Sequence, residues 1–174
     1  MNQNIEIRSL SDFNDISLLK KLYDLNQANV PEVGSVENFN DFINLLELSD
    51  DILLSYADKK MTGFVVCFYE KSNYSSLNYK YFLKNYSDFL YIDRIAISKN
   101  YRGIGMGSAL YKKLIEKYGK TKSIICCEVN IKPINAISLN FHSRFNFYEV
   151  GEKDFLSHKV RYLSLIHISE PTRP

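Results

Sequence analysis

The segment Phe89 to Ser98, FLYIDRIAIS, is rich in β-branched and aromatic residues and runs directly into KNYRGIGMG. Ala109, Leu110, Leu114 and Ile115 then recur at helical spacing as far as Tyr118, where Gly119 stops the pattern. A strand that turns through three glycines into a helix is a demanding unit. The glycines permit positive φ and a close approach of the backbone to a ligand. The start of the helix turns unpaired N–H groups toward the same spot. The loop Arg102, Gly103, Ile104, Gly105, Met106, Gly107 and Ser108 is therefore expected to hold an anion, a phosphate or pyrophosphate, at the end of a sheet strand.

The rest of the chain builds around that unit. Ile5 to Arg8 alternates as a short strand. Ser11 or Asp12 is placed to cap a helix carrying Ile16, Leu19, Leu22, Tyr23 and Leu25, which ends before Pro31. A second helix is expected from Val36 to Leu48, with Phe39, Phe42, Ile43 and Leu46 on one side. Asp51 to Ala57 and Met61 to Tyr69 read as a hairpin around Asp58-Lys59-Lys60. Residues 71–88, KSNYSSLNYKYFLKNYSD, are too long for a hairpin loop. Tyr79, Phe82, Leu83 and Tyr86 predict a short helix there, either an insert packed on the core or a lid or wall of a pocket. Ser123 to Val129 is a buried strand, Asn135 to Phe145 a helix, and Phe147 to Glu152 and Lys159 to about Leu165 the closing strands. The order is β-α-α-β-β-β-α-β-α-β-β, an α/β (α+β) domain with a mixed sheet.

Composition narrows the class. With 174 residues, 45% of them apolar and 24% charged, the chain suffices for one domain with a real core. The formal charge of +2 does not mark a nucleic-acid binder, and no run approaches the ~20 apolar residues that span a bilayer. The N-terminus has no basic stretch followed by an apolar block, and the three cysteines make no disulfide framework, so a reducing cytoplasm is the expected compartment. The stretch Leu163 to Arg173, LSLIHISEPTR, resembles a translated sequencing adapter. Residues 1–162 are accordingly expected to form the single domain, with 163–174 a non-native tail in which His167 has no chemical part.

Two familiar glycine motifs fail. A P-loop needs Gly-Lys followed by Ser or Thr, and Gly107 is followed by Ser108. The dinucleotide fingerprint G-x-G-x-x-G would place its last glycine at Ser108 or Leu110. The arrangement that fits is R-x-x-G-x-G, here Arg102, Gly105 and Gly107, after YIDRIAIS. This resembles the GCN5-related N-acetyltransferase (GNAT) superfamily, as does CCEVNIKPINAISLNFHSRFNFYEVGE downstream. YIDRIAI, CCEVN and FHSRFNFYEVGE are closest to an uncharacterised bacterial branch of it. The resemblance implies a mostly antiparallel sheet flanked by helices and acetyl-CoA as donor; no metal is expected, because no cluster has metal-ligand spacing and His142 and His158 lack a nearby Cys or carboxylate set. It also implies that Ile95, Ala96 and Ile97 hold the pantetheine arm and acetyl carbonyl through their backbone. Asn135, Ser138 and Phe141 would meet the cofactor from the other side. The chain departs from the pattern at Asn146, where glycine is usual, and at His142, a position often tyrosine.

Acetyl transfer to an amine needs a base, because an ammonium of pKa ~10 is unreactive at neutral pH, and it benefits from an acid for the departing thiolate. Glu128 is the first candidate base, at a strand end beside the expected cleft. Asp93 is the second, sharing a strand face with Tyr91, Ile95 and Ile97 while Arg94 points the other way, although a structural salt link on the sheet from Asp93 or from Arg94 reads equally well. His142 is the candidate acid or proton relay, and Tyr148 is a reserve donor that otherwise reads as a core residue. Cys126 and Cys127 read as inert core thiols. The expected activity is transfer to a primary amine by direct attack in a ternary complex, the alternative being an acyl-CoA-binding module with little turnover. A small-molecule amine is the expected acceptor, with a protein N-terminus the second option, and the chain is expected to be a monomer or homodimer.

Overall fold

The computed structural model describes residues 3–166, so His167 and the rest of the C-terminal stretch lie outside the described residues. A seven-stranded sheet forms the centre. In chain order the elements are β1 (Ile5–Ser9), α1 (Ile16–Ala28), α2 (Phe39–Leu48), β2 (Asp51–Ala57), β3 (Lys60–Tyr69), α3 (Leu77–Asn85), β4 (Phe89–Ile97), a single 3-10 turn (Lys99–Tyr101), α4 (Met106–Tyr118), β5 (Ile124–Lys132), α5 (Ala136–Arg144), β6 (Tyr148–Asp154) and β7 (Lys159–Ile166). The strands lie in the order β1-β2-β3-β4-β5-β7-β6, and every pair is antiparallel except β4 with β5.

Local chemistry sets the boundaries. Asp15, rather than Ser11 or Asp12, caps α1 by accepting from the Leu18 N–H, because Asp12 is spent on the Asn14 N–H. The start of α2 moves from the expected Val36 to Phe39, because Gln27 bridges both backbone groups of Val36 and Asn38 takes the cap. Asp58 and Lys59 both have positive φ, 48° and 70°, the two-residue hairpin turn that matches strand twist. Asn146 has φ of 63°, so it does hold the left-handed turn usually given to glycine. Beyond Tyr162, Leu163 to Ile166 continue β7 and pair with Cys127, Cys126, Ile125 and Ile124.

Each face of the sheet carries its own core. On one face Leu19, Leu22, Phe42 and Leu46 of α1 and α2, with Tyr79 and Phe82 of α3, cover Phe64, Phe68, Phe89, Tyr91, Cys126 and Tyr162. On the other, Leu110, Tyr111 and Leu114 of α4, with Phe147, cover Val65, Leu90, Ile92, Ile125 and Cys127. The apolar side chains that these two cores remove from water supply the main driving force for folding in such a domain, at about 25 cal/mol per Å² of apolar surface.

The site is made by a fork. Strands β4 and β5 pair only at Phe89–Ile124, Leu90–Ile125 and Tyr91–Cys126. Beyond Tyr91, β4 stays on β3, β5 stays on β7, and the facing edges have no strand between them. Opposite Val66 and Cys67 stand Arg94 and Ile92, so Asp93 is an extra residue, a β-bulge. A bulge bends its strand and increases the twist. It also breaks the alternation of faces, so that Asp93 and Arg94 lie on the same side.

Candidate active site

The glycine loop occupies the mouth of the fork. Gly103 and Gly105 have φ of 75° and 96°, and a Cβ on either would meet open space. Only the backbone angle restricts these positions, and glycine alone takes it without strain. Gly105 is the N-cap of α4 and brings no side chain to the free N–H groups, which leaves them for an anion. Gly107 has an ordinary φ but lies under Phe141, whose ring a Cβ there would touch at 3.4 Å. Met106 is buried and anchors the helix start. Arg102 turns its guanidinium away from the loop mouth, donating to the Asn29 side chain at 2.8 Å and the Ile97 carbonyl at 3.3 Å. Ile104 and Ser108 complete the rim, Ile104 exposed and Ser108 half-buried.

Ile95, Ala96 and Ile97 form the end of β4 past the fork, with one backbone edge unpaired by β5. Across the gap, Asn135 caps α5 by accepting from the Ser138 N–H at 3.1 Å, and Phe141 packs on Tyr111 and Phe145. An uncapped helix start, two open glycines and an unpaired strand edge in a row form a cradle that fits a long ligand with an anionic end and an amide-bearing arm.

The sequence profile of the Acetyltransferase (GNAT) family matches residues 19–147, which include both arms of the fork and the loop. The chain belongs to that family. No curated protein sequence matches it. Solved structures with the same fold include the ribosomal-protein-S18-alanine N-acetyltransferase from Escherichia coli, with 16% identity, a TM-score of 0.69, and 98% of this chain and 99% of that one covered. YncA from Salmonella typhimurium, a putative acetyltransferase determined with its cofactor acetyl-CoA, has 15% identity and a TM-score of 0.66, with 98% of each chain covered. NAA60 from Arabidopsis thaliana, in complex with acetyl-CoA, has 15% identity and a TM-score of 0.68 over 94% of this chain and 98% of that one.

Within this GNAT domain the two candidate carboxylates lie on the two arms of the fork, both on the α1/α2/α3 face. Glu128 of β5 accepts from the Tyr91 hydroxyl at 2.8 Å and from the Asn78 amide at 3.1 Å. Loss of hydration and the nearby Asp93 charge push its carboxyl up to about 8, and the two hydrogen bonds pull against that. Its residue keeps some solvent contact. Asp93 is fully engaged: Tyr74 donates to one oxygen at 2.7 Å and the Arg94 guanidinium to the other at 2.7 Å. Both partners of that ion pair are buried, with side chains 8% and 5% exposed. Arg94 also donates to Asn26 and to the Gly34 carbonyl, tying the bulge to the end of α1.

The bulge corrects the expected geometry of β4. Asp93 shares a face with Tyr91 but not with Ile95 and Ile97, which pack on the α4/α5 side, and Arg94 points with Asp93 rather than away from it. His142 also departs from its expected part. It is 3% exposed and packs on the α4/α5 face against Tyr111 and Phe147, across the sheet from Glu128. Its Nδ1 donates to the Ser138 carbonyl at 2.8 Å, so Nε2 accepts from the Tyr111 hydroxyl at 2.7 Å. Burial lowers it to about 4, so the ring is neutral at ordinary pH and its one N–H is held by the Ser138 carbonyl. Tyr148 is 44% exposed on the edge strand, not a core residue. All three cysteines are buried, and loss of hydration raises Cys126 and Cys127 far above a reactive thiol.

Sequence reasoning passed over Asn78, Tyr91, Tyr74 and Tyr162 as site residues. The tyrosine-rich run was visible, but nothing in it marked which polar groups would face the carboxylates. The run folds as an insert packed on the core that also reaches the fork. Tyr79 and Phe82 are fully buried against the sheet, while Tyr74 and Asn78 reach the two arms of the fork.

Proposed function

We propose that this domain is an acetyl-CoA-dependent N-acetyltransferase in which a primary amine attacks the donor directly in a ternary complex, with Glu128 as general base. The carrying observation is the place and setting of Glu128. It is the one carboxylate at the fork without a cationic partner among the described residues, and burial with the nearby Asp93 raises its carboxyl to about 8, close to neutral pH. A base is most effective when its pKa lies there.

Acetyl-CoA supplies the activated acyl group and a thiolate leaving group. The N–H groups of Gly105, Met106, Gly107 and Ser108 would hold its pyrophosphate, and the free edge of Ile95–Ile97 its arm and carbonyl. Glu128 takes a proton from the acceptor's ammonium and frees the nitrogen lone pair for attack. Asp93, neutralised by Arg94, serves to shape the bulge rather than to move protons. The segment carrying Tyr74, Asn78 and Tyr81 lies over the sheet face at Glu128 and favours a small-molecule amine over a protein N-terminus. Among the described residues no helix is long and apolar enough to cross a membrane.

The test is release of free thiol from acetyl-CoA against a panel of primary amines, with Glu128→Gln as control. Amine-dependent release that falls by about 10²–10⁴ in Glu128→Gln is expected, the usual range for a general base. Binding of acetyl-CoA with no release on any amine would favour a binding module instead.

A further inference from the structure

Asn78 meets two residues from distant parts of the chain. Its Nδ2 donates to Glu128 Oε1 at 3.1 Å, and its Oδ1 accepts from the Tyr162 hydroxyl at 3.0 Å. An amide can present either end to a neighbour, but only the NH₂ end suits a carboxylate. Tyr162 fixes that choice by giving its proton to the other end. Tyr162 is itself immobilised. Its ring stacks on Tyr81 at 3.8 Å with an angle of 9° between planes, and the Tyr81 hydroxyl donates to the Val150 carbonyl at 2.7 Å. Gly151 leaves the room for that hydroxyl, which a Cβ would overlap.

We propose that Asn78, held in one orientation by Tyr162, is a positioning residue that sets the protonation midpoint of Glu128 and so the pH at which the enzyme has its base. This rests on Glu128 being that base. A donor aimed at a carboxylate favours the charged form, so it counters the burial that favours the protonated one. The other groups facing Glu128 are Tyr91 and Asp93 from β4, Tyr74 beside Asp93, Tyr162 from β7, and Cys126 and Cys127 on its own strand. Arg94 lies on the far oxygen of Asp93, and Tyr111 is paired with His142 across the sheet. Asn78 is the one group from the insert that touches the carboxylate.

The full-length chain is to be titrated by infrared difference spectroscopy, following the carboxyl band that Glu128→Gln removes. Asn78→Ala should move the midpoint of that band up by about one pH unit, the size of one hydrogen bond to a charged group. Asn78→Asp, which keeps the shape and turns a donor into an acceptor, should move it further. Tyr162→Phe should move it up by less. The double variant Asn78→Ala with Tyr162→Phe should match Asn78→Ala alone, because Tyr162 acts through Asn78. An unchanged midpoint in Asn78→Ala with the fold intact, or additive shifts in the double variant, would overturn the proposal. Acetylation that survives in Glu128→Gln would instead remove the base assignment, and the midpoint reading needs no acceptor.

Discussion

The two arms of the fork carry one carboxylate each, and the protein treats them in opposite ways. On β4, Asp93 is buried with a guanidinium on one oxygen and a tyrosine on the other. On β5, Glu128 is held only by neutral donors, Tyr91 and Asn78. A buried charge is tolerated when it is paired; an unpaired one shifts its pKa and takes up a proton instead. Pairing makes the first arm a strut. Withholding a cation leaves the carboxyl of the second arm raised to about 8, which the proposed reaction would use to free an amine. The lesson is that the reactivity proposed for Glu128 comes from what is left out of its surroundings.

The contrast can be broken from either side. Glu128→Gln should lower kcat/KM by about 10²–10⁴ with little loss of stability, whereas Asp93→Asn should keep turnover within about tenfold and lower Tm; kinetics and calorimetry on the same preparations decide it. Arg94→Met should destabilise the fold by about 3–5 kcal/mol in urea titrations, because it strands a buried Asp93 charge and frees Asn26 and Gly34. On the opposite face, His142 is held neutral well below its unfolded pKa, so folded stability should fall as pH drops from about 6.5 to about 4, by about 3 kcal/mol in all. His142→Gln should flatten that acid slope in Tm-against-pH curves. Glu128 has the reverse sign. Its raised pKa means that the native state holds a proton the unfolded state has lost, so stability should decline between about pH 4.5 and about 8, and Glu128→Gln should remove that decline. The smallest effect expected is on the donor loop: Gly105→Val should weaken acetyl-CoA binding at least tenfold by calorimetry and cost about 1–2 kcal/mol for its left-handed backbone.

Much of this fold was legible because its signals are local. The runs of β-forming residues in β2 and β3, the period of 3.6 in α1 and α4, and the glycines after β4 each need only a few neighbouring residues to be recognised. The loop and Glu128 could be named for the same reason, by a resemblance carried in short runs. What stayed hidden depends on register. The bulge at Asp93 moves Arg94 to the face of Asp93, and no count along FLYIDRIAIS reveals where alternation slips. His142 looked like a proton donor by position in the sequence, but α5 lies on the other face of the sheet, and only the tertiary packing shows that its two nitrogens are already spent. Asn78 of α3 and Tyr91 of β4 meet Glu128 of β5, and Tyr162 of β7 meets Asn78, only once the chain has folded.

The supernumerary residue in β4 has a consequence for how this protein tolerates insertion and deletion. Because Asp93 and Arg94 share one side, removing Asp93 would leave every later residue of the strand on its present face: Ala96 would still meet α1 and α2, and Ile95 and Ile97 would still meet α4. Such a one-codon loss would keep the apolar faces of the strand in register and place its whole cost on the polar side, where the buried Arg94 guanidinium and the Tyr74 hydroxyl would lose their carboxylate. It would also remove the bend that the bulge puts into β4 just beyond its last pair with β5. Deletion at this codon thus separates the polar anchoring of the strand from its hydrophobic pattern, which no substitution at Asp93 can do.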